Sequence, residues 1–148
     1  MRILPVVVRR LAVVLWVLVL QPMVAFAAPQ RAAVVTSDTL MQAVVEGLLP
    51  PEAFSVSAIL PPGQCPGHYD VKLSDIERLR KAALVVGFRG MGVLPDMKGV
   101  ESRRLLVETG GRNWMVPGAF VAGTEQVARE LSRRLPAHRG AIAARQRS

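Results

Sequence analysis

Four short apolar runs constrain this chain more than any other feature. Residues 32–36 (AAVVT), 54–60 (FSVSAIL), 84–88 (LVVGF) and 105–108 (LLVE) are rich in β-branched side chains and bounded by turn or helix-start residues. Runs of this length and composition read as strands. Helical patterns lie between them. After 32–36, Ser37 is the expected N-cap, and Leu40, Met41, Val44, Val45 and Leu48 form one apolar stripe that Gly47 and Pro50-Pro51 terminate. Ser74-Asp75-Ile76-Glu77 reads as a capping box, with Ile76, Leu79 and Ala83 facing inward. Glycines 87, 90 and 92 loosen the segment after the third strand, where a broken helix turn is expected within 93–102. A last helix is expected over about 118–135, with Val127, Leu131 and Leu135 stacked and Pro136 as its breaker. The alternation predicts an α/β fold, a parallel four-stranded sheet with helices on both faces. Ligands in such folds sit beyond the carboxyl ends of the strands. The segments 61–75 and 110–114 leave those ends of the second and fourth strands.

The first 27 residues are set apart from the fold. Arg2, Arg9 and Arg10 precede an apolar core at 11–20 (LAVVLWVLVL), and Ala25-Phe26-Ala27 is an A-x-A cleavage signal. This is the pattern of a cleavable secretory signal peptide, implying export to the periplasm or beyond, with the membrane met only through the leader. The core is too short to span a hydrocarbon layer of ~30 Å. Extending it toward the N-terminus would bury Arg9 and Arg10 in lipid. The residues around that pair do not support a twin-arginine signal. The expected organisation is a leader over 1–27, one α/β domain over 28–135 and a basic tail over 136–148. The formal charge of +8 suggests nucleic acid, but its distribution does not. Residues 28–127 carry ten basic and ten acidic side chains, and the excess lies in the leader and in six arginines after residue 127. No basic stripe crosses a folded face.

The segment 61–75 (PPGQCPGHYDVKLSD) holds the only cysteine, Cys65, and one of two histidines, His68. A single cysteine in an exported chain is a free thiol, a ligand or half of an intermolecular bridge. Cys65-Pro66-Gly67-His68 sets a thiol and an imidazole across a Pro-Gly turn, and zinc accepts both donors. Asp70 offers a third donor, an oxygen. His138, in the basic tail, is a poor fourth. Read as a turn alone, the same residues make Cys65 a small buried side chain and His68 a local cap. A thioredoxin-like role needs a second cysteine. Gly87-Phe88-Arg89-Gly90-Met91-Gly92 has the spacing G-x-x-G-x-G, not the dinucleotide G-x-G-x-x-G, and Pro95 and Gly99 interrupt the helix that would carry a pyrophosphate. No serine, histidine and acid set marks a nucleophilic enzyme. Trp114 and Met115 read as core.

These features together resemble the N-terminal lobe of the periplasmic zinc/manganese-binding proteins of ABC transporters, from about Val34 to His138. PPGQCPGHYDVKLSDIERLRKAALVVGFRGMG is similar to that family's histidine-tyrosine loop, its proline-serine-aspartate helix start and the following strand with a Gly-rich turn. GGRNWMVP is similar to its asparagine-proline-histidine-x-tryptophan segment, and LSRRLPAHRGA to the start of the long helix joining two lobes. The resemblance implies capture of Zn²⁺ or Mn²⁺ between two lobes and delivery to a membrane permease. It implies His68 as the first ligand histidine and puts Arg112 where a second is expected. An arginine stays protonated and cannot ligate a cation. The resemblance also implies that 136–148 begins an interlobe helix. The second lobe lies outside the sequence, so the chain is expected to be a truncated copy, a half-protein completed by a second chain, or a frameshifted product. The alternative is a non-metal remnant lobe that docks another subunit.

Overall fold

The computed structural model describes residues 30–148. The leader falls outside the described residues. Four strands form one sheet: β1 (Ala32–Thr36), β2 (Phe54–Ala58), β3 (Leu84–Phe88) and β4 (Arg104–Val107). Their order is β2-β1-β3-β4, and every pairing is parallel. The helices are α1 (Thr39–Leu48), α2 (Leu73–Lys81), α3 (Pro117–Arg134) and α4 (Arg139–Gln146). The expected α/β fold is therefore present.

Each face of the sheet is covered, because parallel strands must bury both. On one side Val34, Val86, Phe88, Leu105 and Val107 pack against Met41, Val44, Val45 and Leu48 of α1, Val127 and Leu131 of α3, and Ile142 of α4. On the other, Val35 and Val85 pack against Leu79 of α2 and against Val93 and Leu94 of the long β3–β4 connection. The period-two alternation of Val34/Val35 and Val85/Val86 assigns neighbours to opposite cores.

Several local details differ from the sequence reading. Asp38, not Ser37, caps α1: its carboxylate accepts from the Met41 amide at 3.0 Å, and the Ser37 hydroxyl donates to the same carboxylate at 2.5 Å. Helix α2 begins at Leu73, and its first-turn acid is Asp75, which accepts from the Lys72 amide at 3.0 Å. The 74–77 box is not formed, and Ala83 is exposed while Ala82 is fully buried. The turn expected within 93–102 appears only at its end, as a 3₁₀ turn over Glu101–Arg103, and Val93, Leu94 and Val100 before it are buried. Past Pro136 the chain forms α4, whose Ile142 is fully buried and whose Arg145 donates to the Gly47 carbonyl at 3.0 Å, at the carboxyl end of α1. Among the described residues no helix is long and apolar enough to cross a membrane.

The sheet order creates a switch point. From β1 the chain goes outward to β2, then crosses to β3 on the other side and continues to β4. A crevice is expected between the carboxyl ends of β1 and β3.

Candidate metal site

A groove of about 430 Å³ occupies that edge, lined among others by Leu40, Pro66, Phe88, Met91, Arg112 and Trp114. Its apolar floor follows from the strand ends: Phe88 is the last residue of β3, and Trp114 packs edge-on against it with ring centroids 4.7 Å apart. Trp114 is buried, as the sequence reading expects; Met115 is 77 % exposed and is not core. One turn accounts for both positions. The Asn113 side chain accepts from the Met115 amide at 2.9 Å, and the Asn113 carbonyl accepts from the Val116 amide at 3.0 Å, which sends neighbouring side chains to opposite sides. Gly110 and Gly111, at φ 58° and 72°, give the bend that returns the chain from β4 to this turn, a region side chains with a Cβ rarely enter.

The loop after β2 reaches the groove through Pro66. Residues Pro66–His68 form a single 3₁₀ turn, closed by the His68 amide donating to the Cys65 carbonyl at 3.1 Å. Cys65 and His68 flank this turn, and both are exposed. Asp70 is also exposed, past the turn. Among the described residues no three of His, Cys, Asp and Glu gather as a metal site. His138 sits at the opposite edge, its ring edge-on to Phe54, the first residue of β2, at 4.8 Å.

The tip is held from behind by a buried acid that sequence reading placed only in the first turn of a helix. Asp75 is 4 % exposed. Its carboxylate accepts from the Tyr69 hydroxyl at 2.8 Å and from the Lys72 amide, and pairs with Arg78 at 3.4 Å. The Arg78 guanidinium in turn donates to the Ala58 carbonyl at the end of β2 and to the Ser57 hydroxyl. Strand end, helix start and loop tip are thus tied through one carboxylate. That bond is the main reason the Tyr69 phenol is held above its ordinary value; desolvation and the carboxylate's charge add to it, and Arg78 opposes it. The only sequence signal was an acid one turn into α2 with a tyrosine six residues upstream.

The resemblance puts a ligand where Arg112 stands, and Arg112 lines the groove without being able to donate to a cation. Arg89 and Glu108, just beyond β3 and β4, form an exposed ion pair across the same edge. Gly87 is required by packing: a Cβ there would fall 2.5 Å from the Leu94 side chain and 3.0 Å from that of Ser37.

No family model and no curated protein matches the sequence. Solved structures do. TroA superposes with a TM-score of 0.63 at 18 % identity, over 80 % of this chain and 49 % of TroA. ZnuA superposes at 0.64 and 19 % identity, over 79 % and 52 %. A manganese-bound periplasmic metal-binding protein from Candidatus Liberibacter asiaticus superposes at 0.65 and 14 % identity, over 79 % and 51 %. The chain has the fold of about half of a periplasmic metal-binding protein. It spans about half the length of the structures it matches. In this half-fold the candidate tip and the groove share the carboxyl edge of the sheet.

Proposed function

We propose that this chain is an exported solute-binding-type lobe that captures a divalent transition metal for an ABC transporter permease, with Cys65 and His68 as its donors and Asp70 as an accessory oxygen. The observation that carries the reading is the position of the Cys65–His68 turn. It leaves the carboxyl end of β2, borders the switch-point groove through Pro66, and is braced by the Asp75 network. The zinc- and manganese-bound states of the matched structures favour a cation of that class. Capture is direct coordination: the thiol loses its proton to solvent, the neutral imidazole donates a lone pair, and acidification reverses both. On this reading 28–135 is the lobe, 136–148 begins the interlobe segment while still packed on the lobe through Ile142, and a partner surface supplies the remaining donors.

Titrating the mature chain with Zn²⁺ tests this. Binding at micromolar Kd or tighter that is lost in Cys65→Ala and in His68→Ala supports it. No metal-dependent change in melting temperature, with both variants folded, overturns it. The second reading, a remnant lobe that docks another subunit, is favoured by one observation: Met115, on the groove, is 77 % exposed, and Val116 next to it in the chain is 53 % exposed. Zinc-independent association with another protein through that rim would support it.

A further inference from the structure

In sequence, the arginines after residue 127 run into a basic tail; the fold gathers them onto two packed helices. Past Pro136 the chain turns back as α4 and lies against α3. Between the two helices runs a depression of about 440 Å³, lined by Arg129, Ser132 and Arg133 of α3 and by Arg139 and Gln146 of α4, with no carboxylate in its lining. Arg139 and Gln146 are two turns apart on one face of α4, so the depression extends for about 10 Å along the helix. The six arginines from Arg129 to Arg147 are all exposed. The acids on α3 and α4 are Glu125 and Glu130, in surface ion pairs with Arg129 and Arg133, and such pairs hold charge loosely.

One end of the molecule therefore carries the charge. Residues 28–127 balance ten basic against ten acidic side chains, so the whole excess of the mature chain sits on the last turns of α3 and on α4. That end lies opposite the groove. His138, between the two helices, packs on Phe54 at the start of β2, and Arg145 donates to the Gly47 carbonyl at the carboxyl end of α1. A single small anion does not suit this face, because exposed guanidiniums each contribute little. A protein partner needs an apolar core, and the exposed large apolar side chains, Leu73, Met115, Val116 and Val121, all stand outside it. A surface that carries many phosphates does suit it, since weak contacts to many headgroups add up without an apolar anchor.

We propose that the α3–α4 face docks the lobe on a bilayer containing anionic phospholipid, through the headgroup phosphates, and leaves the groove and the Cys65–His68 tip uncovered. The sequence reading meets the membrane only through the leader; this is a second contact, made by the folded chain. It does not depend on metal capture.

The mature chain is cosedimented with vesicles of phosphatidylcholine alone and of phosphatidylcholine with one third phosphatidylglycerol. Binding is expected to the anionic vesicles only, and should fall as sodium chloride is raised from about 50 to about 500 mM. Arg129→Gln/Arg139→Gln should weaken it about 25-fold, about fivefold for each arginine. Lys72→Gln/Arg89→Gln removes the same charge at the groove edge and should change it less than about threefold. All four residues are exposed, so melting temperatures should match wild type. Arg147→Gln, past the end of α4, is a second variant and should weaken binding about fivefold. Equal losses in the two double variants would assign the binding to net charge and overturn the docking face. Binding to neutral vesicles, indifference to salt, or displacement by millimolar inorganic phosphate would also overturn it. So would binding to a DNA duplex without binding to the anionic vesicles. None of these outcomes touches the capture reading, which zinc titration tests separately.

Discussion

The two loops that leave the carboxyl edge of the sheet are anchored by opposite physics. Behind the Cys65–His68 tip stands a polar anchor, a buried carboxylate gathering a phenol, an amide and a guanidinium. Behind Arg112 and Met115 stands an apolar one, the Trp114 ring wedged between Phe88 and α3. The apolar anchor depends on shape and tolerates no added atom. The polar anchor depends on charge and protonation, so solvent conditions reach it. In both, the anchored residue is buried and its neighbours at the tip are exposed. Fold and loop-tip chemistry can therefore change independently, so the lobe keeps its edge with an arginine where the resemblance implies a donor.

The largest effects should come from breaking the apolar anchor. Trp114→Ala is expected to cost about 3–5 kcal/mol, as for other buried aromatics. A Cβ at Gly123 would fall 2.4 Å from the Trp114 ring. Gly123→Ala should therefore destabilise by about 1–3 kcal/mol despite the better helix propensity of alanine. Gly118, in the first turn of the same helix, has nothing within 4 Å of such a Cβ, and Gly118→Ala should shift stability by under about 1 kcal/mol. Urea denaturation followed by far-ultraviolet circular dichroism measures all three. Equal effects at Gly118 and Gly123 would show that the ring does not rest on α3.

The polar anchor should yield next. Asp75→Asn keeps one acceptor but loses the charge that Arg78 pairs with, and it turns an amide donor toward groups that already donate. A loss of about 1–3 kcal/mol is expected. Zinc affinity should fall with it, because the Cys65–His68 tip loses its brace. Full stability in Asp75→Asn would mean that the network is ornamental. At the opposite loop, Arg112→His should tighten zinc by about tenfold, or about 1.4 kcal/mol, by adding an imidazole where the resemblance places one. Arg112→Gln removes the charge without adding a donor and should give less. If both tighten equally, the arginine acts only through repulsion.

How much of this was legible in the sequence depends on whether a signal was periodic. The run 32–36 matches β1 residue for residue, and β4 is displaced by one from 105–108, since β-branched and apolar runs between turns are strong local signals. Caps were less legible. Ser37 and Asp38 are both good N-cap residues, and only the backbone decides between them: Asp38 is the one that is extended, at φ −151° and ψ 175°, beside a helical Thr39. Helix α4 hides in an arginine- and alanine-rich segment where Ile142 is the lone large apolar residue. Trp114 and Met115 both read as large core side chains in sequence, yet one turn can send only one of them inward. The Cys65–His68 turn was readable from Pro-Gly alone. The acid that steadies it was not, because Tyr69 and Asp75 meet across a loop with no period.

The smallest effect is the most specific to the polar anchor. Tyr69 is the only tyrosine in the chain, so tyrosinate absorbance reads its titration without overlap. Its folded pKa lies above the ordinary 10.0, chiefly through the bond to Asp75. The folded state therefore holds that proton more tightly than the unfolded chain does. The resulting stability is complete below the unfolded value and is lost as pH rises through the folded one. Tyr69→Phe keeps the ring and deletes the hydroxyl, so its stability should lie below wild type near neutrality and converge on it in alkali. In Asp75→Asn the absorbance midpoint should move back toward that of an exposed phenol. If the midpoint stays put in Asp75→Asn, the phenol owes its shift to something other than the carboxylate, and the tip after β2 is no more sensitive to charge than the one after β4.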